Sequence, residues 1–330
     1  MAHGSTLVTG ATGFLGGHIV RLLRKRGEPV VATGRNGSRG SDLARASVDF
    51  RPADLARTAD LAPLFSGVDA VIHSAALSSV WGHPSAFYDA NVTGTARLIL
   101  AAQTAGVRRF VHISTPSIYA TLADRFGIRE DDPLPTSPIN EYARSKLLAE
   151  QLVRDYAVDG LDAIILRPRA IFGPGDVAIF PRLIKANARF GVPFIDGGEA
   201  LQDLTYVENV AHAALMARDA QAGISGRAYN ITNGDARPIG SIIAQVFDAI
   251  DEPLRRKDLS RAKAMRLATS AEWLWSHLPL PGEPPITRYS VSVLACTTTL
   301  DITRAREELG YRPLVSIDEG VRRFAAWWMR

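Results

Sequence analysis

The stretch Thr9-Gly10-Ala11-Thr12-Gly13-Phe14-Leu15-Gly16 decides the fold of this chain. It follows a short apolar run, Thr6-Leu7-Val8, and it opens a segment whose apolar residues have helical spacing. A glycine turn between a strand and a helix is the context in which such glycines bind a dinucleotide. Gly10 permits the tight turn, Gly13 lets the backbone approach a pyrophosphate, and Gly16 lets the helix lie close to the strand. We therefore predict a phosphate site at the free N–H groups of this helix start.

Apolar strands alternate with helical patterns through the first half of the chain. Continuous apolar strands separated by helices indicate a parallel sheet that is covered on both faces. Ligands bind such sheets beyond the carboxyl ends of the strands, so the residues after each strand form the candidate site. The predicted strands are residues 29–33, 48–51, 69–73, 109–113 and 163–166.

The fold class that we predict is α/β, a Rossmann-type doubly wound parallel sheet with a smaller, mostly helical substrate-binding cap. Residues 1–172 are expected to form the dinucleotide-binding domain, and residues 203–232 to return to it. Residues 173–202 and 233–330 are expected to form the cap, because the alternation loosens beyond Pro168. The predicted elements there are helices at 179–190 and 210–216 and strands at 205–207 and 228–231.

The composition of the chain limits the kinds of molecule that it is expected to bind. The 330 residues carry a net charge of +4 from 38 basic and 34 acidic side chains, which is too mild to indicate nucleic acid. The single cysteine, Cys296, cannot form an internal disulfide, which fits a reducing compartment. No apolar run approaches the roughly 20 residues of a membrane-spanning helix. We expect a cytoplasmic homodimer with a small-molecule substrate and no metal.

Tyr142 and Lys146 form the candidate catalytic pair. They lie four residues apart in a strongly helical stretch that runs to about Val158, so they share a helix face. To act as a base near neutral pH, a phenol with a pKa of roughly 10 must lose about three units, or roughly 4 kcal/mol. An adjacent ammonium and the positive nicotinamide of an oxidised cofactor can supply this. The spacing alone is a weak pattern, but its place behind the glycine turn favours function over an ordinary exposed pair.

A hydroxyl at the end of the strand at 109–113 supplies a third group. Ser114, Thr115 and Ser117 follow that strand, and any of them could hydrogen-bond the reacting oxygen beside the phenol. Chemistry alone leaves the three open, and it also leaves open a polar strand end whose hydroxyls cap the backbone.

Taken together, these motifs make the chain similar to the extended short-chain dehydrogenases/reductases over nearly its whole length. The matching segments are Thr9–Gly16, Ala53–Leu55, His73–Ala76, Asn91–Thr95, Ser114–Ser117, Tyr142–Lys146, Leu166–Pro168, Leu309–Pro313 and Glu319–Gly320.

The resemblance implies a role for each catalytic residue. Tyr142 would be the general acid/base, and Lys146 would hold the nicotinamide ribose and lower the pKa of the tyrosine. In the family, the catalytic hydroxyl lies four residues before a position matched here by Tyr119, which singles out Thr115 and leaves Ser114 as the fallback. The cofactor contacts that it implies are Gly10, Thr12, Gly13, Phe14, Leu15, Arg35, Asn36, Asp54, Leu55, Ala75, Ala76, Tyr142, Lys146, Pro168 and Ile171. The substrate-side residues are Ser78, Trp81, Ser117, Phe172 and Trp273.

The end of the second predicted strand bears on the choice between NAD and NADP. An acidic residue there binds the ribose 2′-OH, whereas an arginine accommodates the 2′-phosphate. Here Gly34-Arg35-Asn36 replaces the acid, and the planar fork of Arg35 can pair a phosphate with help from Asn36 and Ser38. We therefore predict NADP in preference to NAD, with residues 37–40 as a polar surface loop.

The second half of the chain bears on the substrate. Sugar-nucleotide epimerases and dehydratases show Arg-Asp and then an aromatic where this chain has Gln202-Asp203-Leu204, so the arginine is absent. Thr205 and Asn209 resemble the 3-beta-hydroxysteroid dehydrogenase/isomerase branch. Ser79–Gly82 and Leu280–Arg288 look like the substrate-side loops of a bacterial subgroup, the 2-alkyl-3-oxoalkanoate reductases of long-chain olefin synthesis.

The stretch 264–278 supports an apolar substrate through its own pattern. A full helical stripe of apolar residues runs along it, and Met265 and Trp273 lie off that stripe. A second apolar side needs a partner, which could be a lipid chain, a second subunit, a membrane surface in peripheral contact or the rest of the cap.

The sequence therefore predicts an NAD(P)-dependent oxidoreductase. It would interconvert a secondary alcohol and a ketone on a lipid-like substrate, of 3-oxo/3-hydroxy acyl or sterol type. The alternatives are a sugar-nucleotide epimerase or dehydratase and a regulator that senses the dinucleotide without turnover.

Overall fold

The structure, a computed structural model that describes residues 4–330, is built on strands that alternate with helices. The strands are β1 (Ser5–Thr9), β2 (Val30–Thr33), β3 (Asp49–Phe50), β4 (Val68–His73), β5 (Arg109–Ile113), β6 (Arg125–Ile128), β7 (Ala163–Pro168), β8 (Ile171–Phe172), β9 (Val192–Ile195), β10 (Leu201–Gln202), β11 (Thr205–Tyr206), β12 (Ala228–Ile231), β13 (Arg237–Pro238), β14 (Arg256–Leu259) and β15 (Thr298–Leu300). The helices are α1 (Phe14–Lys25), α2 (Gly37–Arg45), α3 (Pro84–Phe87), α4 (Gly94–Thr104), α5 (Glu141–Val158), α6 (Phe180–Arg189), α7 (Val207–Asp219), α8 (Ile239–Ala249), α9 (Arg261–His277), α10 (Arg288–Ala295), α11 (Thr303–Glu308) and α12 (Ile317–Trp328).

Seven parallel strands form the central sheet in the order β12-β7-β5-β4-β1-β2-β3. Successive residues of each inner strand face opposite layers, as Val71 and Ile72 do, and both layers are apolar. Helices α1 and α7 cover one face, and α4 and α5 cover the other. This explains why the strands are continuous apolar runs, and it confirms the predicted Rossmann-type fold.

Residues beyond β7, together with β6, form three smaller sheets, and helices α6 and α8 to α12 also follow β7. The sheets have the strand orders β13-β10-β15-β6, β11-β8 and β14-β9. The strand β12 instead pairs with β7 at the edge of the central sheet, so the chain comes back to that sheet after leaving it. The division into two domains at the proposed boundaries stays a prediction.

Two local expectations differ from the structure. Residues 37–40 are the start of α2 and not a loop, because the Asn36 side chain accepts a hydrogen bond from the Arg39 N–H and caps the helix. In α9, the small residues Ala264, Ala268 and Ala271 are buried, whereas the leucines of the predicted stripe, such as Leu274, are exposed. Across residues 4–330, no helix combines the length and the apolar character needed to cross a membrane.

Candidate active site

A cavity of about 730 Å³ lies at the carboxyl ends of the central strands. The cavity extends on both sides of the boundary between the neighbouring strands β1 and β4. At this boundary the order of the strands along the chain reverses. Such a switch point is the usual ligand site of a doubly wound sheet. Residues of α6, α8 and α10 close the cavity from the other side. The fold therefore makes one cleft from the edge of the sheet and the helices beyond it.

Most of the residues that the sequence assigned to the site line this cavity. They are Gly10, Thr12, Gly13, Phe14, Leu15, Arg35, Asn36, Asp54, Leu55, Ala75, Ala76, Ser78, Thr115, Ser117, Tyr142, Lys146, Pro168 and Ile171.

Three predicted substrate-side residues do not line it. Phe172 is fully buried in the core, with its ring 5.2 Å from that of Phe180. Trp273 lies on the outer side of α9 and is 58% exposed. Trp81 belongs to a turn in which its backbone carbonyl accepts a hydrogen bond from Ser79. The sequence pattern could not separate these aromatic residues from the ones that face the cleft.

The glycine turn has the geometry of a pyrophosphate cradle. Gly10 has a φ of +67°, and a Cβ atom there would lie 2.8 Å from the backbone nitrogen of Ala75. A Cβ atom at Gly16 would collide with the carbonyl oxygen of Gly10. No side chain caps the start of α1, so the N–H groups of its first turn remain available to a ligand. The residues present therefore fit a dinucleotide.

Two arginines line the cavity between the end of β2 and the first turn of α2. Arg35 is exposed, and its Nη1 lies 3.9 Å from Oδ2 of Asp54. Arg39, which the sequence reasoning missed, also lines the cavity and donates a hydrogen bond to the Thr12 carbonyl oxygen. The capping of α2 by Asn36 places Arg39 in the first turn of that helix, and an Asn-x-x-Arg signal could have found it.

Tyr142 lies in the first turn of α5 and is linked to a series of hydroxyl groups. Desolvation raises the pKa of Tyr142 to about 12, and a hydrogen bond with Thr115 partly opposes that rise. Thr115 Oγ1 donates to Ser117 Oγ at 3.0 Å, and Ser117 Oγ lies 2.8 Å from the hydroxyl of Tyr289 on α10. The protein itself therefore keeps the phenol protonated at neutral pH, which is the opposite of the lowering expected for a base. Tyr289 was not foreseen, because only the fold brings α10 to this cavity.

Adjacent hydroxyls at the end of β5 have different partners. Ser114 donates a hydrogen bond of 2.5 Å to Oε1 of Glu150, which is itself buried. Thr115 instead lies near enough to Tyr142 to oppose the rise in the pKa of its phenol. Of the two hydroxyls, Thr115 is therefore the one that acts on Tyr142, whereas Ser114 is engaged by Glu150.

Lys146 is buried one helical turn beyond Tyr142. Its Nζ donates to the carbonyl oxygen of Ile113 at 2.7 Å and lies 3.1 Å from Nε2 of His112. Burial lowers the pKa of Lys146 to about 8, although the nearby charge of Glu150 opposes that change. Burial also lowers the pKa of His112 well below its ordinary value, so this imidazole is neutral. The lysine is therefore a cation that can be deprotonated in mildly alkaline solution.

Glu150 lies on the same face of α5, one turn beyond Lys146. Its carboxylate accepts hydrogen bonds from Nε and Nη2 of Arg167 at 2.9 and 2.6 Å, and both side chains are buried. Burial alone would raise the pKa of Glu150, but Arg167 and Ser114 outweigh it and the net pKa is lowered. This ion pair joins the catalytic helix to the end of β7.

Known proteins are similar to this chain in sequence and in fold. A model of the NAD dependent epimerase/dehydratase family matches residues 6–232. The 2-alkyl-3-oxoalkanoate reductase of Stenotrophomonas maltophilia is 36% identical, over 97% of this chain and 98% of its own length. The decarboxylating sterol-4-alpha-carboxylate 3-dehydrogenase of Mus musculus is 31% identical, over 96% of this chain and 88% of its own length.

The fold also matches solved structures. The UDP-glucuronic acid 4-epimerase from Bacillus cereus in complex with NAD superposes with a TM-score of 0.77. That match has 24% sequence identity and covers 98% of this chain and 96% of the other. At this identity the likeness concerns the arrangement of the backbone.

Proposed function

The chain belongs to the NAD dependent epimerase/dehydratase family, and we propose that it reduces the ketone of a lipid-like 3-oxo compound with NADP as the preferred cofactor. The family and the relatives are dehydrogenases, reductases and epimerases that act on CH–OH or C=O groups. The observation that carries the proposal is the placement of Tyr142, Lys146 and Thr115 together in the wall of the cleft.

The lining of the cleft supports a hydrocarbon substrate. Apolar side chains from the start of α6, the connection between β10 and β11, α8 and α10 line the same cleft as Tyr142. They are Ile179, Leu183, Leu204, Ile239, Ile243 and Val293. The relatives named for alkanoate and sterol substrates agree with such a lining.

In the proposed reaction a bound nicotinamide dinucleotide supplies a hydride to the carbonyl carbon. The hydroxyl of Tyr142 gives its proton to the carbonyl oxygen, so that a secondary alcohol forms. Thr115 is held by the hydrogen bond that its Oγ1 accepts from the Ser117 N–H, and its hydroxyl proton would turn from Ser117 Oγ to the same carbonyl oxygen. The ammonium of Lys146 would bind the ribose hydroxyls of the dinucleotide and would compensate the negative charge that develops on the phenol oxygen.

The cofactor preference rests on Arg35 and Arg39. Both line the cleft beside the glycine turn, and among residues 4–330 neither has a carboxylate partner closer than the 3.9 Å contact of Arg35 with Asp54. A 2′-phosphate would give these guanidinium groups a charged acceptor. A neutral ribose 2′-OH offers no such pairing. Arg35 and Arg39 are therefore the residues that would hold the extra phosphate of NADP.

The test is an assay of NADPH and NADH oxidation with a 3-oxo acid, a 3-oxosteroid and UDP-glucose. We expect NADPH to be consumed in proportion to product with the 3-oxo acid. Tyr142→Phe should lower kcat by about 10²–10⁴ while the Kd for NADPH changes less than twofold. Tyr156→Phe, on the same helix but packed in the core, is the matched control.

Other outcomes would overturn the proposal. Conversion confined to UDP-glucose, with no net consumption of NADPH, would indicate an epimerase that returns the hydride. Full activity in Tyr142→Phe would remove the catalytic role of the phenol and favour a dinucleotide-binding regulator. A strong preference for NADH would contradict the role of Arg35.

A further inference from the structure

Arg169 is a buried cation in the wall of the cleft that has no anionic partner. It follows Pro168 at the end of β7, and only 5% of its surface is exposed. Its Nη2 donates to Oε1 of Gln202 at 2.5 Å, whereas the buried Nε has no hydrogen-bond partner. In the described residues, 4–330, no carboxylate lies within ion-pair distance of this guanidinium.

The other buried arginines of the described chain all have carboxylate partners. Arg109 pairs with Asp162, Arg167 with Glu150, and Arg218 with Glu28 and Asp219. The usual rule is that a buried charge is paired, because an uncompensated one is costly. Among these arginines, the one without a partner is the one that faces the cleft.

Asp203 does not serve as the ion-pair partner of Arg169. Its carboxylate accepts a hydrogen bond of 2.7 Å from the backbone N–H of Leu300 and is used there. Desolvation lowers the pKa of Arg169. Tyr289 opposes this lowering only in part, as does Asp203, which lies beyond ion-pair distance. A guanidinium stays charged even so. An anion from a ligand is therefore the missing partner.

The position of Arg169 separates it from the pyrophosphate of the cofactor. The glycine turn follows β1, and β7 lies three strands away in the central sheet. At a strand spacing of about 4.8 Å, that separation is about 14 Å. Arg169 instead lines the same cavity wall as Tyr289, whose hydroxyl is linked through Ser117 to Thr115. The arginine thus belongs to the substrate end of the cleft.

We propose that Arg169 binds a carboxylate of the substrate, so that the preferred substrate is an oxo acid with an apolar chain and not a neutral ketone. This inference rests on the proposed function, since it assigns the carboxylate and the reduced carbonyl to one molecule. A diphosphate of a nucleotide is a second source of negative charge at this place. The apolar side chains of Leu204, Ile239 and Ile243 in the same wall favour the carboxylate of an acyl chain.

Binding tests the anion site without turnover. The NADP-bound protein is titrated calorimetrically with decanoate, with decanol and with UDP. We expect decanoate to bind at least tenfold more tightly than decanol, and Arg169→Met to remove that difference. Arg182→Met is the matched control, because Arg182 also lines the cleft but is half exposed and paired with Glu283. Arg182→Met should keep the preference for decanoate.

Several results would overturn the proposal. Equal affinity for decanoate and decanol in the unaltered protein would do so even if Arg169→Met did not fold. If Arg182→Met loses the preference for decanoate over decanol and Arg169→Met keeps it, the anion binds at Arg182, at the rim of the cleft. Tight binding of UDP that depends on Arg169 would assign the site to a nucleotide. Retention of part of the preference by Arg169→Lys would support a charge-binding role.

Turnover then separates this inference from the proposed function. With 3-oxodecanoate, Arg169→Met should lower kcat/KM at least 30-fold, mainly through a higher KM. With methyl 3-oxodecanoate, the same variant should stay within threefold of the unaltered enzyme. If neither compound is reduced, the proposed function fails while the binding result still decides the anion site. If acid and ester lose activity equally, the assignment of the carboxylate to Arg169 is wrong.

Discussion

Ser114 and Thr115 are adjacent residues that follow β5. The Ser114 hydroxyl stabilises the fold, whereas we propose that the Thr115 hydroxyl acts on the substrate. Removing the hydroxyl of Thr115 removes a hydrogen bond to the reacting oxygen, so Thr115→Ala should lower kcat by about 10²-fold. Thr115→Ser keeps the hydroxyl and should retain most of the rate. Steady-state assays of ketone reduction at saturating NADPH measure both changes.

The matched variant is Ser114→Ala. It removes a hydrogen bond to the buried carboxylate of Glu150, which is worth about 1.5–3 kcal/mol of folding stability. We expect a lower midpoint in urea and a kcat within a few-fold of normal. A loss of kcat in Ser114→Ala larger than that in Thr115→Ala would assign the catalytic hydroxyl to Ser114.

Lys146 should govern the alkaline side of the pH profile for reduction. Tyr142 keeps its proton up to a pKa of about 12, so the proton donor is present throughout the usual range. Burial lowers the pKa of Lys146 to about 8, and the ammonium form exists below that pH. We therefore expect kcat/KM to be constant near pH 6–7 and to fall as the pH rises through about 8.

Lys146→Arg provides the control for this assignment. A guanidinium stays protonated over the whole range, so the residual activity of the variant should no longer fall near pH 8. An unchanged alkaline limb in Lys146→Arg would mean that another group titrates there.

A buried ion pair connects helix α5 to the central sheet. Glu150 on α5 and Arg167 on β7 are both buried and share two hydrogen bonds. Glu150→Gln leaves the charge of Arg167 uncompensated, so it should lower the free energy of unfolding by about 3–5 kcal/mol. Urea denaturation followed by circular dichroism measures the change.

The matched control lies on the same helix. Glu141 forms an exposed ion pair with Arg144, and Glu141→Gln should cost less than about 1 kcal/mol. The pKa of Glu150 is lowered in the folded protein, so the stabilisation by the buried pair is complete above pH 4.5 and is lost as the pH falls through the lowered value. Equal losses in Glu150→Gln and Glu141→Gln would show that the pair does not anchor α5.

At the scale of elements, the sequence predicted features that lie within one strand or helix. It did not predict contacts between elements that are distant in the chain. Tyr142 and Lys146 share a helix face by their spacing alone, and the apolar runs locate the inner strands to within a few residues. The start of α2 at Gly37 was missed, because the Asn36 cap outweighs the glycines that suggested a loop. A local pattern is enough where one element contains the whole feature.

At the scale of the whole molecule, the cleft joins segments that are far apart in the chain. Tyr289 reaches Ser117 across 172 residues, and Arg169 meets Gln202 across 33. No periodicity or spacing in the sequence predicts such contacts, because they depend on how the later helices pack against the sheet. The predicted aromatic residues Phe172 and Trp273 show the same limit, because one faces the core and the other faces solvent.

Because the cleft is lined from residue 9 to residue 293, its ligand should stabilise the molecule as a whole. At 100 times its Kd, NADPH should contribute about 2.7 kcal/mol, which for a chain of this size raises Tm by about 4 °C. Arg35→Ala should weaken NADPH binding about tenfold, because a charge-assisted contact is lost, and should reduce the shift at the same concentration to about 2 °C. Arg45→Ala, at the far end of α2 and paired with Asp42, should keep the full shift, and UDP-glucose should cause none. Differential scanning calorimetry measures all four, and an equal shift with NADH that is insensitive to Arg35→Ala would contradict the placement of the 2′-phosphate.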